Sequence, residues 1–203
     1  MFDKSISKAE INELPLFRYE GKAVIASSEK QIDRAIAEIE RNEIVGIDTE
    51  SKPTFKKGQF HHVALIQVAC PDKVYLLRIQ KVGISNTLKS FLCNPRIIKI
   101  GIALDDDLIA LQKRRSFQPA GFHDLNVIAP KLGIQNIGAR SLSALILGIR
   151  ISKSQQVSNW ENPVLTMQQI KYAATDAWIC LEIFQKLRQW GYLDDQEVYK
   201  LDQ

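Results

Sequence analysis

The 203-residue chain has few cysteines and histidines and no unbroken apolar sequence of membrane length, and each shortage removes a class of protein. Its three cysteines, Cys70, Cys93 and Cys180, are odd in number and far apart in apolar surroundings. They read as reduced core residues of an intracellular protein, not as a disulfide framework or a zinc site. His61, His62 and His123 have no ligand spacing beyond the adjacency of two, so all three read as structural or surface residues. No stretch approaches the ~20 apolar residues of a membrane span. Met1-Phe2-Asp3-Lys4-Ser5 lacks the charged-then-apolar layout of a secretory signal, so the expected location is the cytoplasm, with no membrane partner. Repeats, low-complexity tracts and linkers are missing too. The expectation is a single domain over residues 1–203, with a core at about 22–190 and an N-terminal extension over 1–21. The expectation is therefore that a helicase domain or a second sizeable nucleic-acid-binding domain, if there is such a repair partner, is on a separate chain.

What is present is ordinary in bulk: 45% hydrophobic and 25% charged residues. A net charge of +4 and a pI near 8.9 permit an anionic partner without demanding one. The organising stretch is Ile44-Val45-Gly46-Ile47-Asp48-Thr49-Glu50, an apolar run that ends in two carboxylates. Side chains alternate along a strand, so Asp48 and Glu50 share one face while Thr49 points to the other. Apolar residues on both faces mark a central, doubly covered strand. Gly46 lies on the face of the acids and leaves room there for another element. Buried anions need a counter-charge, and divalent cations with oxygen ligands are the obvious candidates. A second pair, Asp195 and Glu197, follows no apolar run and reads as solvated surface.

Elsewhere, residues 22–25 suggest an edge strand. Ser28 with Gln31 forms a capping-box pattern for a helix to 40, with Ile32, Ala35, Ile36 and Ile39 as its buried stripe. Residues 63–69 and 74–77 flank Pro71-Asp72-Lys73 as a hairpin. A helix is expected over 86–92 and a strand over 97–104, followed by Asp105-Asp106-Asp107 and a helical pattern ending in Lys113-Arg114-Arg115. Further helices are expected over 125–132, capped by Asp124, and over 141–147. Thr166 with Gln169 opens a long helix to about 190, closed by Gly191. On that helix Tyr172 and Asp176 stack one turn apart, flanked by Ala173, Ala174 and Ala177, which allow close approach to a sheet. Strands early and helices on both sides predict an α/β sandwich around a mixed sheet.

An acid pair on the first strand, an acid after a later strand and a Tyr/Asp pair on the last helix resemble the DEDDy group of 3′–5′ exonucleases in the ribonuclease H-like superfamily. Within it, the resemblance is strongest to the exonuclease domain of the Werner syndrome helicase and its bacterial relatives, with ribonuclease D a step further away. It spans roughly residues 22–188. Its pieces are Gly46-Ile47-Asp48-Thr49-Glu50, Val63-Ala64-Leu65-Ile66-Gln67-Val68, Lys99-Ile100-Gly101-Ile102 through Asp107-Leu108, Ser158-Asn159-Trp160, and Tyr172-Ala173-Ala174-Thr175-Asp176-Ala177. The middle piece departs from the pattern by holding three aspartates. Counting from Gly101 selects Asp107, with Asp105 or Asp106 left as a helix cap.

The resemblance implies a ribonuclease H-like three-layer sandwich, a mixed sheet whose first strands are antiparallel, and a metal-dependent exonuclease acting on nucleic acid with a free 3′ end, DNA in the first instance. The alternatives are a ribonuclease D-like exonuclease of RNA 3′ ends and a non-catalytic nucleic-acid-binding module. It implies two Mg²⁺ ions, with Mn²⁺ as substitute, held by Asp48, Glu50, Asp107 and Asp176, while Tyr172 orients the attacking water. Substrate contacts are expected from Thr49, Phe55, Lys57, Lys153 and Trp160. Phe55 and Phe60, with neighbouring lysines, would guide a single strand. Lysine and arginine clusters are otherwise more often solvated charge, and Trp160 and Trp178 more often packing residues.

Overall fold

The computed structural model describes residues 3–54 and 58–193. In chain order it contains α1 (Lys8–Glu13), β1 (Lys22–Ala26), α2 (Glu29–Ile39), β2 (Ile44–Ser51), β3 (Val63–Cys70), β4 (Lys73–Arg78), α3 (Ile79–Val82), α4 (Asn86–Leu92), β5 (Ile98–Gly101), α5 (Leu104–Arg114), β6 (Phe122–Asp124), α6 (Leu125–Lys131), α7 (Ala139–Leu142), a π-helical turn (Ser143–Leu147) and α8 (Met167–Gln189). Phe55, Lys57 and the Asp195/Glu197 pair lie outside the described residues.

The six strands form one mixed sheet in the order β1-β4-β3-β2-β5-β6. The neighbours β2, β3 and β4 run antiparallel, whereas β2, β5 and β6 are parallel. β1 closes the other edge, parallel to β4. Pro71 and Asp72 form the two-residue connection between β3 and β4, with Cys70 opposite Lys73. This is the expected α/β sandwich around a mixed sheet.

Alternation along β2 sorts its side chains between two cores. Val45 and Ile47 enter the layer built with α2, α4 and α5, which includes Ile32, Ile36, Leu88, Phe91 and Leu111. On the opposite face the sheet packs against α8 through Ala64, Leu65, Ala69, Ala173, Ala174, Ala177 and Leu181. The α8 contact is close because neither partner projects a large side chain there. A Cβ built on Gly46 would overlap the carbonyl oxygen of Ala177 and crowd Leu181.

Both capping boxes form as expected. Ser28 and Gln31 close the start of α2, and Thr166 and Gln169 close the start of α8. Three boundaries differ from expectation. The strand expected over 97–104 stops at Gly101, because Ala103 takes a left-handed conformation (φ 60°) that turns the chain into α5. Neither Asp105 nor Asp106 caps α5; the cap position is Ala103, which offers no side-chain bond. The carboxylate of Asp124 does this from a distance, accepting the N–H groups of Ala103 (3.0 Å) and Leu104 (2.8 Å) while also capping α6 through Asn126 (2.7 Å). The helix expected over 141–147 starts earlier as α7 and widens into the π-helical turn. The N-terminal extension contains α1, closed by a Ser7/Glu10 capping box.

Gly46→Ala should lower the stability measured by urea unfolding by about 1–3 kcal/mol or more, because a backbone oxygen cannot move aside as a flexible side chain can. An unchanged midpoint would show that α8 can retreat from β2 at little cost.

Candidate active site

Asp48 and Glu50 lie near the C-terminal end of β2, next to an irregularity in pairing with β3 between Glu50 and Ser51. Bulges of this kind re-aim side chains at strand ends. Asp176 reaches them from the middle of α8, which the Gly46–Ala177 contact presses onto the same face. One carboxylate oxygen from each of Asp48, Glu50 and Asp176 lies within 4.8 Å of the others. None of the three is ion-paired with lysine or arginine among the described residues. They open onto a cavity of about 230 Å³, whose wall also includes Thr49, Lys153 and Tyr172.

Like charges without cations make the acids hard to ionise. Burial, then Asp176 and Asp107, holds the Asp48 carboxyl well above the usual range. Burial and the neighbouring acids push Glu50 up to about 10. Burial raises Asp176 to about 7, against the opposing effects of the Tyr172 hydroxyl and the nearby Lys153. The Tyr172 hydroxyl is itself driven upward by burial and by Asp176 and Glu50, so it remains protonated at neutral pH. The Cys180 thiol, which donates to the Asp176 carbonyl oxygen at 3.1 Å, is also pushed up and stays an unreactive thiol.

Asp107 is placed differently. Thr49 points to the opposite face of β2 from its two acidic neighbours, and its Oγ1 donates to Asp107 Oδ1 at 2.5 Å. Asp107 is half-buried, whereas Asp105 and Asp106 are exposed. Burial raises Asp107 to about 6, with Thr49 acting in the opposite direction. Asp107 is therefore set back from the three clustered acids but contributes to their electrostatics.

The other expected contacts divide. Lys153 is exposed on the cavity wall. Trp160 is fully buried and cannot reach a nucleotide; its ring lies 6.0 Å from that of Tyr172 and supports it from beneath. Gln169 ties this support to the start of α8 by donating to Ser158 Oγ (2.7 Å) and the Asn159 carbonyl (3.2 Å). Phe60 is exposed, with Lys113 Nζ 5.3 Å from its ring centroid, so it reaches toward α5. His61 is 3.1 Å from Glu161, a structural contact as expected.

Some wall residues carried no sequence signal. Ile151, Ser152 and Gln156 line the cavity from an irregular segment with no periodicity to place it. Away from the cavity wall, Gln67 stands out as an amide in an otherwise apolar strand. It is fully buried opposite Asp48 in the strand pairing, and both polar atoms of its amide lack a hydrogen-bond partner.

The donor set suits a hard divalent cation. Three convergent carboxylates, none ion-paired with lysine or arginine among the described residues, and an open cavity supply the oxygen ligands that such ions prefer.

Comparisons with known proteins agree with this chemistry. A family profile described as 3′–5′ exonuclease matches residues 23–190. Among similar proteins, a 3′–5′ exonuclease of Arabidopsis thaliana is 26% identical, the match covering 90% of this chain and 69% of that protein. The mouse bifunctional 3′–5′ exonuclease/ATP-dependent helicase WRN is 33% identical, with coverage of 79% and 12%. The human exonuclease mut-7 homolog is 30% identical, and the chain spans 23% of it. Among solved structures, the exonuclease domain of Aedes aegypti Nibbler superposes with a TM-score of 0.79 at 24% identity, covering 91% of this chain and 98% of that one. Escherichia coli RNase D gives 0.72 at 21% identity, covering 90% and 49%. With a profile match across most of its length and three acids gathered near the end of β2, the chain belongs to the 3′–5′ exonuclease family.

Proposed function

We propose that the protein removes nucleotides from the 3′ end of a DNA strand by metal-dependent hydrolysis, releasing nucleoside 5′-monophosphates. The observation that carries this reading is the cluster of Asp48, Glu50 and Asp176, which has no ion pair among the described residues and lies beside Tyr172. The DNA assignment follows the 28% identity to DNA polymerase I of Aquifex aeolicus. The likeness to RNase D, at 21% identity, supports the fold alone.

In this reading Asp48, Glu50 and Asp176, with Asp107 set further back, would hold two Mg²⁺ ions. Mn²⁺ should substitute, since both ions accept octahedral oxygen donors. When bound, the ions would acidify water, neutralise phosphate charge and stabilise the leaving oxygen. The protein's own groups hold the reactants in place. The protonated Tyr172 hydroxyl fixes the orientation of the attacking water, with Trp160 preventing the ring from dropping away. Thr49 holds Asp107 by a short hydrogen bond, and Lys153 offers a cation at the cavity mouth where the strand's phosphates would pass.

Asp48→Asn should reduce release of nucleotides from a labelled single-stranded DNA by about 10³-fold or more, because several kcal/mol of transition-state stabilisation would be lost. Tyr172→Phe should cost about 10²-fold, with metal binding retained. Undiminished activity of the Asp48→Asn protein with Mg²⁺ or Mn²⁺ would reject the mechanism. Cleavage of closed circular DNA would reject the requirement for an end, and faster digestion of matched RNA would reassign the substrate.

The acid cluster also predicts an inverted pH effect on stability without metal. Folding raises Glu50 from 4.5 to about 10, so the folded state binds more protons than the unfolded state between these values. Its contribution is complete below pH 4.5 and is lost as pH rises toward 10. In EDTA at pH 8, Glu50→Gln should therefore have a higher Tm than the wild type, and the gap should close near pH 4. Adding Mn²⁺ should raise the wild-type Tm more than that of the variant. A lower Tm for Glu50→Gln in EDTA at pH 8 would mean that Glu50 already has a stabilising protein partner.

A further inference from the structure

On the other side of Tyr172 lies a second, smaller cavity of about 60 Å³. Tyr172 and Ser152 line both. The chemistry reverses across this boundary. The first cavity gathers three carboxylates, while the second is lined by Arg18, Lys171, Ser154 and Gln168 and by no acid. Lys171 is held by Glu20, with its Nζ 2.6 Å from a carboxylate oxygen. Arg18 has no hydrogen bond or ion pair among the described residues, and its side chain is exposed.

The segment that carries Arg18 is fixed on both sides. Arg150 N donates to the Pro15 carbonyl (2.9 Å), and Phe17 N donates to the Arg150 carbonyl (2.8 Å). Tyr19 N donates to Thr175 Oγ1 (2.9 Å), and the Phe17 ring stacks on Trp178 with centroids 4.5 Å apart. The backbone of Arg18 is thus held beside the catalytic tyrosine while its guanidinium stays available. A guanidinium with a planar fork of donors suits a phosphate better than any other side chain does.

We propose that this second cavity is a phosphate subsite, in which Arg18 of the N-terminal segment binds a backbone phosphate of the strand next to the one being cleaved, assisted by the hydroxyls of Ser152 and Ser154. The inference rests on the exonuclease reading above. It makes the N-terminal segment part of the substrate-binding surface and not only a packing extension. Lys171 supports the site at longer range, with much of its charge already met by Glu20.

The test compares two substrates in the full chain with Mn²⁺: a single-stranded oligonucleotide, and the p-nitrophenyl ester of thymidine 5′-monophosphate, which has one phosphodiester and no neighbouring phosphate. For Arg18→Ala, kcat/KM on the oligonucleotide should fall about tenfold more than on the ester, the loss of one charged hydrogen-bonded contact. The salt dependence of oligonucleotide binding should weaken by about 0.7 in log–log slope, the share of one phosphate on a single strand. Arg18→Lys should recover part of both. Equal losses on the two substrates, or an unchanged salt slope, would overturn the subsite. A wild-type protein inactive on both substrates would instead overturn the exonuclease reading, and this inference with it.

Discussion

The structure depends on one close contact, between Gly46 of β2 and the backbone of α8 at Ala177. It sets the distance between two elements that would otherwise keep apart, because each carries acid toward the other. Asp48 and Glu50 come from the strand and Asp176 from the helix, and bringing them within ligand distance places like charges together under partial burial. Without cations, the Tyr172 hydroxyl and Lys153 offset only part of the burial cost of Asp176. The apolar layer of Ala64, Leu65, Ala69, Ala173, Ala174, Ala177 and Leu181 holds the cluster together, and the small alanines let the helix lie flat on the sheet. Stability supplied by the core maintains an electrostatic tension at the sheet's end, and that tension makes the site receptive to divalent ions.

A second constraint governs the other face. The chain leaves β5 and turns at once through Ala103 in a left-handed conformation, which leaves two N–H groups at the start of α5 without a local cap. Asp124, at the end of β6, accepts both and also starts α6. One carboxylate therefore fixes two helices against two parallel strands. This orientation of α5 presents Asp107, not its exposed neighbours, to Thr49. Loops away from the acidic cavity are tied together from separate parts of the chain. Arg78 donates to the Asn162 and Pro163 carbonyls, and the Pro15–Phe17 stretch clamps Arg150.

Local chemistry fixed much of this in readable form. Alternation along residues 44–50 put the two acids on one face and Thr49 on the other, and Thr49 is found reaching Asp107 across the sheet. The capping boxes at Ser28 and Thr166 are contacts within four residues, so they form wherever the helices go. The four-residue spacing of Tyr172 and Asp176 needs only a helix. Gly46 was legible as a gap, though not what fills it. Trp160 shows the limit: its motif marks it as important, but only packing reveals that it acts by supporting Tyr172 from the interior.

The sequence by itself therefore determined the elements, their polarity and the identity of the acids, because these follow from periodicity and short-range hydrogen bonds. Tertiary structure alone decided which groups meet. Which of Asp105, Asp106 and Asp107 meets Thr49 turned on a left-handed residue and a cap 20 residues away. The unpartnered Gln67 amide and the Arg18 cavity arise where strands or segments distant in sequence come side by side. Such contacts are set by how layers pack, and no periodicity within a single segment encodes them.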